Sequence, residues 1–164
     1  MRRLYTLSIL LLLSWGISAQ NSYDLVIVGG NPGGIMAAIA AAREGKTSVI
    51  LERTSHVGGL PVNGLGATDI ATRQATTGLF SEFTSQQVKD CSDGFHFEPL
   101  VAAHVYKQML EEHKDRINVL LMRQFDAEDK NISLRDGHIE SIRILNRETG
   151  RHETYFGKIF IDAT

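Results

Sequence analysis

The chain has 164 residues, a formal net charge of −2, 43% hydrophobic residues and 22% charged residues. These values are typical of a globular protein and exclude a largely disordered chain. The near-neutral charge balance gives no electrostatic case for nucleic acid, since phosphate binding needs a surplus of clustered Lys and Arg. The single cysteine excludes an internal disulfide framework and a cysteine-built metal cluster. The length fits one domain of roughly 100–200 residues at most.

The N-terminus has the pattern of an export signal. Arg2 and Arg3 precede an apolar run over 4–17 that is too short to span a bilayer comfortably, and Ala19 offers a small residue before Gln20. We therefore expect 1–19 to be a cleaved secretory signal peptide, the mature protein to be periplasmic or secreted, and no stable membrane span to remain. An uncleaved N-terminal anchor is the alternative, and the arginine pair also faintly resembles a twin-arginine export signal.

The beginning of the mature chain predicts a βαβ unit. A short apolar run over 25–28 is typical of a buried parallel strand, and it ends at a glycine-rich turn over 29–34. The Ala-rich segment 35–44 favours a helix. Residues 48–51 are predicted to form a second buried strand, which Glu52 follows directly. Strand, glycine turn, helix and strand within about 30 residues form a βαβ unit.

The rest of the chain predicts two more helices, a third parallel strand and an antiparallel ribbon. The expected segments are a glycine-studded loop at 56–69, helices at 78–89 and 99–114, strands at 117–122, 138–145, 151–156 and 159–164, and turns at 136–137 and 146–150. The fold class is therefore α/β, with a parallel sheet that contains the βαβ unit and an antiparallel ribbon. The apolar residues of the last predicted strand must be buried against an element that has not yet appeared in the chain. We therefore expect 20–164 to be a truncated N-terminal part of such a domain.

The glycine turn follows the G-x-G-x-x-G pattern of dinucleotide-binding proteins. It consists of Gly29, Gly30, Asn31, Pro32, Gly33 and Gly34. The first glycine of this pattern permits a tight turn, the third lets helix and strand pack closely, and the middle one, here an asparagine, lets backbone approach a diphosphate. The helix N-terminus adds free N–H groups and a positive dipole end for the phosphates.

An acidic residue stands where a ribose-binding carboxylate is expected. Glu52 ends the second strand, roughly 20 residues past the last glycine, and a carboxylate there accepts hydrogen bonds from an adenosine ribose. It would repel a 2′-phosphate, which argues against NADP. Arg53 follows and either lies along the adenine or is solvated. These features predict a bound dinucleotide and leave FAD and NAD open.

A second glycine cluster favours FAD over NAD. Gly58 and Gly59 follow Glu52 closely, and Asn63, Gly64 and Gly66 come next, so backbone again approaches a ligand. In an NAD-binding domain the chain normally goes straight into another helix.

Several spaced runs carry a resemblance to a known family. They are DLVIVGGNPGGIMAAIAAAREG, VILE, HVGGLPVNGLGATDI, the Phe97-Glu98-Pro99 element and the IDAT run at 161–164. Together they resemble the N-terminal part of FAD-dependent oxidoreductases, and most closely an exported group whose middle fingerprint position commonly holds a small polar residue. Proteins of this group are sometimes labelled xanthan lyases, although nothing in this sequence supports lyase chemistry.

The resemblance implies a Rossmann-like FAD-binding domain with a β-meander. It would be the FAD-binding portion of an exported flavoprotein oxidoreductase of unknown substrate and electron acceptor. The first glycine cluster would hold the pyrophosphate and Glu52 the ribose. Gly58 and Gly59 would lie along the diphosphate and ribityl chain, and the run from Asn63 to Gly66 would approach the isoalloxazine. The alternatives are an NAD-dependent dehydrogenase domain, with Glu52 selecting NAD, and a non-catalytic dinucleotide-binding module or fragment.

Catalytic residues cannot be assigned from the sequence. Cys91 is the single cysteine of the chain, which excludes a dithiol mechanism, and we expect it to be a buried or loop thiol. The six histidines never fall in metal-ligand spacing, so we expect no metal.

Overall fold

A computed structural model describes residues 21–89 and 93–164 of the chain. The expected signal peptide at 1–19 and the lone Cys91 both lie outside the described residues. None of the helices in the described ranges is long and apolar enough to cross a lipid bilayer.

The architecture is a mixed sheet with helices packed on one face, which confirms the predicted α/β class. The elements in chain order are β1 (Asn21–Val28), α1 (Pro32–Arg43), β2 (Ser48–Leu51), α2 (Gly78–Lys89), α3 (Pro99–Glu111), β3 (Ile117–Leu120), β4 (Arg123–Gln124), β5 (Ile132–Arg135), β6 (His138–Asn146) and β7 (Arg151–Asp162). The sheet order is β3-β2-β1-β7-β6-β4, and β5 also pairs with β6.

The parallel half of the sheet carries the site. β1 lies between β2 and β7 and is parallel to both, with Val28 opposite Leu51 on one side and opposite Asp162 on the other. The C-terminal ends of these three strands therefore meet at one edge, which is where ligands bind in open α/β sheets. The antiparallel half is the expected meander: β6 pairs with β7 along one edge and with β4 and β5 along the other.

Alternation along the strands divides the core in two. Ile27 and Ile50 face the helices and join a fully buried layer with Ile35, Ile39 and Tyr106. Neighbouring strand residues point the opposite way, toward the meander, in a second layer of Val26, Val28, Val49, Leu51, Ile142, Ile144 and Tyr155. Period-two alternation across a sheet produces this division.

Some predicted boundaries were wrong. The two strands expected at 151–156 and 159–164 are one continuous strand, because β7 continues its pairing from β6 onto β1. Gly157 does not break it: a Cβ there would lie 2.8 Å from Val26 Cγ2, so this glycine serves close packing. The strand expected at 117–122 stops at Leu120, and the helix expected to reach residue 114 ends at Glu111.

An ion pair connects the first and last strands. Asp24 accepts hydrogen bonds from Lys158 Nζ at 2.7 Å and from the Thr47 backbone N–H at 2.9 Å. The hydrogen bond from Lys158 is the main cause that holds the pKa of Asp24 well below its ordinary value.

This pKa shift predicts a pH-dependent contribution to stability. Because the folded pKa of Asp24 lies below the unfolded value of about 4, its contribution is present above pH 4 and is lost as the pH falls through the folded pKa. We expect Asp24→Asn to lower the midpoint of urea unfolding at pH 7, and the difference from wild type to shrink at pH 3. Asp69→Asn removes an exposed acid and is the control; identical pH profiles for both variants would contradict the prediction.

Candidate cofactor site

The first and last glycines of the turn are required by the fold itself. Gly29 has a φ of +101°, and a Cβ there would lie 2.3 Å from the Ala163 carbonyl oxygen. A Cβ on Gly34 would lie 2.2 Å from the Gly29 oxygen and 3.2 Å from Ile27 Cγ2. The turn is therefore compressed between helix α1 and the end of β7, and only glycine fits at these two positions.

The Asn31 side chain makes two hydrogen bonds at the middle position of the turn. Its Oδ1 accepts the Gly34 backbone N–H at 3.1 Å and so caps helix α1, while its Nδ2 donates to the Ala163 carbonyl. A side chain at this position thus joins the turn to the end of β7, which a glycine could not do.

We expect Asn31→Ala to lower the free energy of unfolding by about 0.5–2 kcal/mol, the usual loss for an N-cap. Asn31→Ser is the informative control, since serine also caps helices well but is too short to replace the bond to Ala163. Urea unfolding should show a smaller loss for the serine variant. Equal losses for both variants would mean that the cap contributes little.

The start of helix α1 presents one unused backbone donor. Pro32 occupies the first helical position and has no backbone N–H, and the N–H of Gly34 donates to Asn31 Oδ1. Among the residues that the structure describes, the backbone N–H of Gly33 has no acceptor, and Gly33 is exposed. A helix N-terminus with a free N–H and a positive dipole end is a suitable place for a diphosphate.

Glu52 lies directly beside the turn, as the spacing predicted. It is 8% exposed; its Oε2 accepts the Gly30 N–H at 2.7 Å and its Oε1 accepts the Thr54 N–H at 2.7 Å. A Cβ on Gly30 would lie 2.6 Å from Val57 Cγ1 and 3.1 Å from Glu52 Oε2, so glycine at this position lets the carboxylate reach the turn. Each carboxylate oxygen has more than one acceptor position, which leaves capacity for ribose hydroxyls.

The second glycine cluster packs against the first. The Gly58 N–H donates to the Gly30 oxygen at 2.6 Å, and a Cβ on Gly59 would lie 3.0 Å from Asn31 Cβ and 3.1 Å from Pro32 Cδ. The two backbone segments thus form adjacent walls of one site.

The loop that follows places Asn63 beside the carboxylate side of the site. Asn63 Nδ2 donates to the Gly59 oxygen at 2.7 Å, and its Oδ1 lies 2.9 Å from His56 Nε2. This pair lines the cleft beside Glu52. The approach of the run from Asn63 to Gly66 to the isoalloxazine, which the resemblance implies, stays a prediction. Gly64 and Gly66 have φ values of +112° and +70° with open space around them, so the backbone conformation alone favours glycine there.

Two clefts meet at the turn. One lies beside the Glu52 carboxylate and has a volume of about 330 Å³. Its lining includes Glu52, Arg53, Thr54, His56 and Asn63. The other has a volume of about 690 Å³ and is lined on its apolar side by Pro32, Leu60, Leu65 and Ile161. Asn31, Ala163 and Thr164 belong to both clefts.

His56 and Thr54 were missed by the sequence interpretation. Both lie in the short loop between Glu52 and Gly58, whose length could have indicated that its side chains border the same cleft. In the described ranges no group of three or more His, Cys, Asp or Glu side chains is arranged to hold a metal ion.

The residues fit FAD by the chemistry of their groups. A buried carboxylate suits an adenosine ribose, a helix N-terminus with a free N–H suits a diphosphate, and the larger, partly apolar cleft suits a flat ring system. The three features follow one another across the turn in the order ribose, diphosphate, ring, which is the order of these groups in FAD. The fold and site thus define an FAD-binding Rossmann-type domain.

Comparison with known proteins agrees with this class. The family model described as FAD dependent oxidoreductase matches residues 24–164, and the chain belongs to that family. Its cofactor is accordingly FAD, as the resemblance implied.

Individual relatives are similar over parts of their length. A soluble pyridine nucleotide transhydrogenase of Mycobacterium tuberculosis is 51% identical over 44 residues, which are 27% of this chain and 9% of that protein. The myxobacterial chondrochloren halogenase has a TM-score of 0.61 at 16% identity, over 88% of this chain and 37% of the halogenase. THI4 of Thermovibrio ammonificans has a TM-score of 0.60 at 18% identity, over 88% of this chain and 58% of THI4. The chain therefore spans a minor part of the transhydrogenase and the halogenase, and the two structures show the fold alone.

Proposed function

We propose that this chain is the FAD-binding portion of an exported flavoprotein oxidoreductase that acts on a small-molecule substrate. The observation that carries the proposal is the position of the Glu52 carboxylate, buried and 2.7 Å from the Gly30 N–H, on the wall of the cleft that continues to the helix N-terminus.

The residues of this chain bind and orient the cofactor. FAD, when bound, supplies hydride or electron transfer at its isoalloxazine ring. Glu52 would hold the ribose hydroxyls, and the N-terminus of α1 at Gly33 would receive the diphosphate. The larger cleft, with Leu60 and Ile161, would exclude water from one face of the ring. Catalytic acids or bases are not assigned to this portion.

The relatives support cofactor binding more than any one reaction. By their names they include a transhydrogenase and a halogenase, which carry out different chemistry. Because these reactions differ, the shared property we propose is capture of the dinucleotide. The substrate and the electron acceptor would be determined outside it.

Spectroscopy of the purified full chain tests the proposal. We expect absorbance bands near roughly 375 and 450 nm from the flavin, and release of FAD on heat denaturation, identified by mass. Enhanced NADH fluorescence without bound flavin would instead favour an NAD-dependent dehydrogenase. The absence of both signals would favour a non-catalytic module.

The proposal of export rests on the signal-peptide pattern at 1–19 and can be tested separately. Expression of the full chain in a bacterial host should yield protein outside the cytoplasm whose N-terminus is Gln20. A double variant, Arg2→Lys with Arg3→Lys, keeps the charge and separates the routes: export by the general route persists, whereas twin-arginine export is lost. Full-length protein retained in the cytoplasm would contradict the proposal.

A further inference from the structure

The meander holds the segment that carries the ribose-binding carboxylate. Three successive carbonyls, those of Glu52, Arg53 and Thr54, each accept a hydrogen bond from outside the parallel sheet. The donors are Arg123 N at 2.8 Å, Arg147 Nη1 at 2.9 Å and Met122 N at 3.0 Å, respectively. The beginning of the loop after β2 is thus held at three successive carbonyls, which is unusual for an exposed connection.

The backbone of the meander has an uncommon conformation where it contacts the loop after β2. Met122 has a φ of +58°, a left-handed conformation that is uncommon for a residue with a side chain. Its N–H donates to the Thr54 oxygen and its own oxygen accepts the Arg147 N–H at 2.9 Å. Strained residues persist where their surroundings over-determine them, and here the strain directs an N–H at the loop after β2.

One peptide unit connects Arg147 to Glu52. The carbonyl of Arg53 and the N–H of Thr54 belong to the same planar peptide group. Arg147 Nη1 donates to that carbonyl at 2.9 Å, and the N–H at the other end of the plane donates to Glu52 Oε1 at 2.7 Å. A cationic donor at the carbonyl both orients the plane and polarises its N–H, because hydrogen bonds in a chain strengthen one another.

We propose that Arg147 is a positioning residue for FAD, which it never touches, and that it acts through the Arg53–Thr54 peptide to hold the Glu52 carboxylate toward the ribose. The inference rests on the proposed function, since it concerns affinity for the adenosine half of that cofactor. Arg147 is exposed and its guanidinium stands on the far side of the peptide from Glu52. Its effect is therefore on the carboxylate and hardly on the core.

The test compares Arg147→Met with Arg143→Met in the full chain freed of bound flavin. Arg143 is exposed on β6, four residues earlier, so the control removes the same charge from the same region of the meander. We expect Arg147→Met to weaken FAD and ADP binding by the same factor, roughly three- to tenfold, the scale of one hydrogen bond. FMN, which lacks the adenosine, should bind both variants equally, and Arg147→Lys should recover part of the affinity.

A second readout separates positioning from general destabilisation. In the ligand-free protein, amide hydrogen exchange at Thr54 should be faster in Arg147→Met than in Arg143→Met, with equal melting temperatures. Equal FAD affinities of the two variants, or equal weakening of FMN and FAD, would overturn the inference and leave the proposed function standing. Failure of the wild-type chain to bind FAD would overturn both.

Discussion

Replacement of Gly29 by alanine is expected to lower the free energy of unfolding by about 2–5 kcal/mol. The estimate combines about 1–2 kcal/mol for a side chain at positive φ with about 1–3 kcal/mol for overpacking. The overpacking arises because the added Cβ would lie 2.3 Å from the Ala163 oxygen, which is backbone and cannot rotate away. Relief would require β7 to move away from the turn, and the junction of the two clefts would open with it.

Gly33→Ala is the matched control for this prediction. Gly33 lies in the same turn, but its φ is not in the positive region and its Cβ would meet only Asn31 Oδ1, at 3.3 Å. We expect a change within about 1 kcal/mol, since alanine is tolerated where the backbone suits it. Urea unfolding of both variants measures the difference. Similar stabilities would show that the turn can relax and that Gly29 is not needed for packing.

The second large effect is expected for Glu52→Ala, which should weaken FAD binding by about 1–3 kcal/mol, the scale of hydrogen bonds to a charged group. This corresponds to roughly a 5- to 150-fold rise in Kd. The variant also leaves the N–H groups of Gly30 and Thr54 without their acceptor, so stability should fall as well. Fluorescence titration of the flavin-free chain gives the affinity.

Two further variants define the origin of the Glu52 effect. Glu52→Gln retains one acceptor oxygen without the charge and should bind FAD with intermediate affinity. Glu98→Ala removes an exposed acid at the start of α3 and should leave the affinity unchanged. If Glu52→Ala bound FAD as tightly as Glu98→Ala, Glu52 would not be a ribose ligand.

Local features of the chain were predictable from the sequence. The strand β2 and the helix α2 have the predicted bounds, and Glu52 lies beside the glycine turn, because each depends on residues close in the chain. Hydrophobic periodicity and turn residues report on such short-range structure.

Long-range contacts could not be derived in the same way. The bond from Asn31 to Ala163 joins residues that are 132 positions apart in the chain, and the side chain of Asn31 alone does not indicate its partner. The left-handed Met122 and the bond from Arg147 to the Arg53 carbonyl depend on where the meander meets the loop after β2. Only the assembled sheet brings these groups together, and no periodic pattern marks them.

The central position of β1 between β2 and β7 has a consequence for the order of events during folding. One part of the cofactor site comes from Gly29 and Asn31, which follow β1, and the adjoining part comes from Ala163 and Thr164, which follow β7. A nascent polypeptide that has emerged only as far as β2 therefore has the glycine turn but lacks the part of the site that Ala163 and Thr164 form. Pairings between distant segments form slowly, so flavin capture is expected to be a late step that waits for the last described strand to join the sheet.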